Sequence, residues 1–421
     1  MYNWNMAKEL PSMLVGMELK EKLMVLPDYD ENIRFESQAE RLMALNEIYN
    51  IYLPSQMSCE IYSKIYLAML RSLQKKDTKQ AIKQKNANFK GIKKQGEYTG
   101  IVGGSDSFTI IGASGIGKSS AISRAIKIAT DDKIIEMENS YCKIIPALTV
   151  QTPFDCSVKS LLLEILRVVD EELDTHYFDM AVKSKATVDV LIGSVSQVCL
   201  NHIGLLVVDE IQNVVFHKNG RQLIGALTQL INLSGISICM VGVPESAEFF
   251  EEIPYLARRA LGLVYDKCDY NDYFRKFCEV LFHYQYVQNE SELTDGMIQW
   301  LYEHSGGVLA VVVALVHDAQ ELSILNGGEI LDKASLMEAY EQRMKMLHSH
   351  ITTATKIKKA SKKRKMVEVV SQGELHTEEK ESSSIFDVEW TFVELAGSVK
   401  REKSDFLELL KNRISIEEVV V

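Results

Sequence analysis

The sequence predicts an α/β fold: a parallel sheet covered by helices, preceded by a helical N-terminal extension and followed by an α-helical lid. Three observations predict it. Gly112-Ala113-Ser114-Gly115-Ile116-Gly117-Lys118-Ser119 fills every required position of G-x-x-x-x-G-K-[ST] and sits between the strand-like run Phe108–Ile111 and the helix-like run Ser120–Ile126. Downstream, Leu205-Leu206-Val207-Val208 runs into Asp209-Glu210, and consecutive apolar residues of this kind mark a strand buried on both faces. Between and beyond these, strand-like and helix-like segments alternate, the pattern of a parallel sheet.

The 421 residues exceed one ordinary domain. Apolar content of 46% and charged content of 25% are those of a globular protein. A net charge of −11 argues against a uniformly basic nucleic-acid coat but leaves room for local basic surfaces. The seven cysteines include no C-x-x-C pair, which fits reduced thiols better than a disulfide or zinc framework. Met1–Met6 lacks the basic and apolar pattern of a signal peptide. The longest apolar run, Val308–Val316, is too short for a bilayer. The expectation is a cytoplasmic protein with no membrane partner.

Residues 1–99 read as a helical extension with a basic linker. Phe35–Leu45 and Cys59–Leu73 carry apolar residues at helical spacing, interrupted at Pro54. Such a region either packs or docks a partner. Lys75, Lys76, Lys79, Lys83, Lys85, Lys90, Lys93 and Lys94 then cluster with Asp77 as the single acid. A run like this is either solvated linker or a contact to phosphate backbone.

Residues 100–265 read as the nucleotide-binding core. The loop glycines let backbone N–H groups turn toward phosphate, and the helix that follows adds its positive end. Gly112, Ala113, Ser114, Gly115, Ile116, Gly117, Lys118, Ser119 and Ser120 are the expected phosphate-binding residues. Lys118 would reach the β- and γ-phosphates of ATP, with Ser119 and Asp209 holding Mg²⁺. Glu210 is placed to activate the attacking water. Ile144–Val150 and Ile236–Gly242 read as strands, and Ser157–Val169, Thr187–Leu200 and Arg221–Leu233 as helices.

Residues 266–350 read as the lid, with helices at Tyr273–Phe282, Thr294–His304, Val308–Leu322 and Lys333–Leu347 and turns at Gly306-Gly307 and Gly327-Gly328. His283, His304 and His317 lack metal-ligand spacing and read as ordinary histidines. Residues 351–421 carry a basic block and then an acidic, serine-rich stretch, the composition of a flexible linker. They end in a short amphipathic segment that reads as a partner-binding tail.

Gly112–Ser119, Val208-Asp209-Glu210-Ile211-Gln212-Asn213, Val241-Gly242-Val243-Pro244-Glu245 and Arg258-Arg259, in that order, resemble the TnsC/TniB family of transposition-regulator ATPases within the AAA+ class. The resemblance covers roughly residues 100–320. It implies an AAA+ P-loop core, ATP and Mg²⁺ as cofactors, and a helical or ring oligomer on double-stranded DNA that links a target-selection protein to a transposase. It further implies that Arg258 or Arg259 reaches a neighbour's γ-phosphate as a finger. Lys159 and Lys183, in helical segments beside the sheet, are candidate DNA contacts. Two features depart from the AAA+ pattern. Val243 stands where a polar sensor is expected, and Val308–Val313 offers no arginine. The competing readings are a signalling or defence NTPase switch that never touches DNA, favoured by the overall acidity, and a replication initiator or helicase loader.

Overall fold

The computed structural model describes residues 6–76, 78, 81, 83, 107–136, 143–251 and 262–344. Arg258, Arg259, most of the lysine run after Lys76 and the whole tail lie outside these residues.

The N-terminal extension contributes α1 (Gly16–Leu23), α2 (Gln38–Leu45) and the long α3 (Gln56–Lys76). Ser37 starts α2 through a reciprocal capping box with Glu40, each side chain satisfying the other's backbone N–H. The core comes next: β1 (Phe108–Gly112), α4 (Lys118–Thr130), β2 (Ile135–Glu136), β3 (Lys143–Gln151), α5 (Val158–Leu173), α6 (Tyr177–Lys183), α7 (Val188–His202), β4 (Ile203–Asp209), α8 (Asn213–Phe216), α9 (Gly220–Ser234), β5 (Ser237–Gly242), α10 (Glu245–Glu251) and β6 (Leu263–Tyr265). The expected strands and helices are present, with ends shifted by a few residues.

Among the described residues the sheet has six strands in the order β2-β3-β4-β5-β1-β6. All pairs are parallel except the two-residue edge strand β2, which runs antiparallel to β3. Because β5 lies between β1 and β4, the phosphate loop after β1 and the acids ending β4 face each other around one gap.

The pleat sends alternate residues to opposite faces. On one face Leu206, Val208, Ile238 and Met240 pack with α5, α7 and α9. On the other, Leu205, Val207, Cys239 and Val241 pack with α4 and with α3 of the extension. In α3, Ile61, Tyr62, Ile65, Met69 and Leu73 are fully buried. Residues 6–76 thus have no separate core; α3 is half of one covering layer. Its Ser72 hydroxyl donates to Gly204 O at 2.6 Å. Gly204 itself admits no side chain, because a Cβ would lie 2.3 Å from Pro146 O.

Lys76 departs from its reading as part of a run that is either solvated linker or a phosphate contact. It is 4% exposed, and its ammonium donates to Cys199 O and Leu200 O, both at 2.8 Å. These are carbonyls of the last turn of α7, where a cation offsets the negative helix end.

The lid consists of α11 (Asp272–His283), α12 (Asp295–Ser305), α13 (Leu309–Asn326) and α14 (Lys333–Arg343). Its core takes in Leu45, Ile48 and Ile51 of the extension. Buried Arg41 makes a two-pronged pair with Glu329 at 2.6 and 2.7 Å and also donates to Tyr286 O. Among the described residues α13 is long and apolar enough to cross a membrane by length and composition. Here its Val312, Leu315, Val316 and Ala319 fill the lid core.

Candidate nucleotide site

The loop after β1 takes its shape from Gly115 and Gly117, which hold φ of +78° and +93°. Most side chains would be strained in that region. Among the described residues no side chain caps α4, whose first residue is Lys118. The first-turn N–H groups of a helix have no partner within it, and such groups are the donors that an anion site uses. The Lys118 ammonium donates to Gly112 O at 2.7 Å and Ala113 O at 2.9 Å. Burial lowers its pKa, and the nearby Asp209 and Glu210 carboxylates act against that shift. A cation folded onto its own loop in this way is placed to exchange two carbonyls for phosphate oxygens.

The Ser119 hydroxyl donates to Asp209 Oδ2 at 3.0 Å, across 90 positions of sequence. The two residues read as a Mg²⁺ pair are thus adjacent, and both offer oxygen, the donor type that a hard cation takes. Glu210 follows at φ +57°. Its N–H donates to Asp209 Oδ1 at 2.8 Å, and its carboxylate accepts from the Gln212 amide. Gln212 has no counterpart in the roles assigned from sequence, yet it fixes where Glu210 points.

A cavity of about 440 Å³ opens here, of a size that suits a small ligand. One wall is Ser114–Ser120 with Asp209 and Glu210. A second wall, with no signal in the sequence, is Tyr49, Ile51, Tyr52 and Leu53 of the extension. Tyr52 is held by backbone bonds in both directions with Val25 at 2.8 and 2.9 Å, and the Arg124 guanidinium lies 5.0 Å from its ring centre. A third wall is lid: Tyr273, Phe277, Leu309 and Val313. Lid and loop touch directly, since Ala310 N–H donates to Gly115 O at 3.1 Å. A Cβ on Gly115 would meet Val308 at 2.8 Å. Val243, at the expected sensor position, also lines the cavity.

Lys159 is exposed in the first turn of α5, and Lys183 is the exposed last residue of α6. They sit on separate helices and do not line the cavity.

The family described as "TniB: Bacterial TniB protein" matches residues 104–263. No curated protein matches the chain. Among solved structures, it is similar to the Aeropyrum pernix ORC1 protein in complex with DNA, at 13% identity and TM-score 0.42, over 61% of this chain and 65% of that one. It is similar also to the A. pernix ORC2 protein, at 14% identity and TM-score 0.39, over 62% of this chain and 66% of that one. The match therefore spans just under two thirds of each Aeropyrum chain. Drosophila ORC bound to DNA matches at 12% identity and TM-score 0.39, over 96% of this chain and 82% of that one. From just before β1 to the start of β6, this chain is similar to the TniB family, and that segment holds the glycine-rich loop, Ser119, Asp209 and Glu210.

Proposed function

We propose that the protein is an ATP-dependent, DNA-binding transposition regulator. It assembles on double-stranded DNA and couples a target-selection protein to a transposase, and ATP hydrolysis controls disassembly. The observation that carries this reading is the pairing of Ser119 with Asp209 beside Lys118, inside the segment that matches TniB. The apolar and aromatic walls from the extension and lid suit a purine, and the loop suits its phosphates. Ser119 and Asp209 would hold Mg²⁺, which would neutralise charge on the phosphates.

Lys118 and the loop bind and orient the β- and γ-phosphates. Glu210 accepts the proton of the attacking water, once its carboxylate is turned from Gln212. Arg258 or Arg259 completes the site from a neighbouring subunit. Mixing an Arg258→Ala, Arg259→Ala variant with a Glu210→Gln variant should restore part of the hydrolysis that each lacks alone. Mixed oligomers that stay inactive would count against a shared site. Lys159 and Lys183 contact DNA phosphate, and the protein acts in the cytoplasm.

The deciding experiment is electron microscopy and anisotropy of the full chain with duplex DNA and a non-hydrolysable ATP analogue. Ordered assemblies that need both ligands, and binding that weakens steeply with salt, are expected. Nucleotide-dependent behaviour with no DNA binding would replace this reading with that of a switch acting on proteins.

A further inference from the structure

Phe154 is the most exposed large apolar side chain among the described residues, at 84%, and Phe216 is 73% exposed. Single exposed apolar residues are ordinary. These two are not independent. Phe154 lies in the turn between β3 and α5, and Phe216 ends α8. Asn219 Nδ2 donates to Asp155 O at 3.2 Å, tying one turn to the other. The His217 ring meets the Phe154 ring edge-on at 6.2 Å. Both turns are also fastened to the end of β4. Thr152 donates to Asp209 O through its N–H at 2.9 Å and its hydroxyl at 2.8 Å. Asn213 Nδ2 donates back to Thr152 O at 3.2 Å. Two aromatic rings are therefore held out to solvent on a platform braced against the nucleotide-site acid.

The charge of the two segments is mainly positive. Residues 152–160 and 213–221 contain Asp155 against Lys159, Lys218 and Arg221. Exposed rings among lysines are poorly suited to the centre of a protein interface, where lysine is depleted. They suit nucleic acid, whose bases stack on aromatic faces while its phosphates take the cations.

We propose that Phe154 and Phe216, flanked by Lys159 and Lys218, form an aromatic contact to duplex DNA. The rings insert at base steps and partly unstack them, as apolar wedges do, and the lysines take neighbouring phosphates. The proposal rests on the DNA-binding reading above. It adds which atoms touch bases and how they connect to Asp209.

The test uses the full chain with an ATP analogue and a fluorescent duplex carrying 2-aminopurine. A Phe154→Ala, Phe216→Ala variant should bind about 10- to 100-fold more weakly at an unchanged salt slope. It should lose the rise in 2-aminopurine emission that unstacking gives. Phe154→Trp with Phe216→Trp should keep both. Lys159→Ala with Lys218→Ala should instead flatten the salt slope by roughly two phosphates. All four side chains are exposed, and nucleotide affinity serves as the folding control. Parent-level DNA affinity in the double Ala variant overturns the proposal. So does loss of self-association without DNA, which would assign the rings to a contact between copies. If the parent chain binds no duplex in any nucleotide state, the DNA reading itself fails and this proposal falls with it.

Discussion

Two walls of one cavity are made in opposite ways. The wall of Ser114–Ser120 with Asp209 and Glu210 is built from short, chemically demanding segments. In the function proposed above, each position there is fixed by what it must do to a phosphate or a cation. The facing wall, Tyr49, Ile51, Tyr52 and Leu53 with Tyr273, Phe277 and Leu309, comes from distant segments whose requirement is an apolar surface of the right shape. Many sequences meet that requirement. The first wall should fail sharply when one atom changes, whereas the second should degrade gradually.

The largest expected effect is on the first wall. Lys118→Ala removes the charged donor that now bonds Gly112 O and Ala113 O. Two charge-assisted bonds of about 1.5–3 kcal/mol each put the loss of ATP affinity at roughly 10²–10⁴-fold by calorimetry. Affinity equal to the parent's would show that the phosphate wall is not the demanding one.

Glu210→Gln comes next. It should leave ATP affinity near that of the parent and slow hydrolysis by about 10²–10⁴-fold, measured as phosphate release. Turnover at the parent rate would move the proton acceptor elsewhere.

Arg41 tests what holds the second wall in place. It joins the extension to the lid through Glu329, with Arg41 3% exposed and Glu329 15% exposed. Removing one partner of a buried pair costs about 3–5 kcal/mol, so Arg41→Ala should lower thermal stability by that amount. The Arg41 hydrogen bonds hold the Glu329 pKa below its ordinary value, against the opposing effect of burial. That stabilisation is complete above the unfolded-state pKa and is lost as pH falls through the lower folded-state value. Acid below about pH 4 should therefore narrow the gap between parent and variant in melting experiments. A gap that widens in acid would contradict the pairing.

The smallest effect belongs to Tyr49, which lines the cavity while half exposed. Tyr49→Ala should raise the Kd for ATP about 5-fold, for a stacking loss near 1 kcal/mol, without moving the melting temperature. A 100-fold loss would mean that this wall is as demanding as the phosphate side.

The tolerance of the second wall is also why the extension reads as a helical appendage. Cys59–Leu73 shows a helical period, and the helix is there as Gln56–Lys76. Periodicity names the buried face but not its partner. That partner is the sheet face of Leu205, Val207 and Val241, far along the chain. Lys76 shows the same limit from the side of charge. Among neighbouring lysines it looks like any solvated cation, and only the approach of the α7 C-terminus makes it a buried cap.

By itself the sequence determined the α/β class, the glycine-rich turn between β1 and α4, the acids after β4 and the helices that follow β6. Each of these is written in contiguous residues, where local geometry forces the residue type: glycines at positive φ, apolar runs through a doubly covered sheet. Tertiary structure alone decided that β5 separates the two motif strands and that Ser119 meets Asp209. It alone decided that α3 completes a layer of the sheet, that the extension walls the cavity beside the glycine-rich loop, and that Phe154 and Phe216 share a platform. The reason is physical. Strand order and helix docking are set by burying apolar area, which is non-directional and accepts many side chains. No single position has to declare its partner.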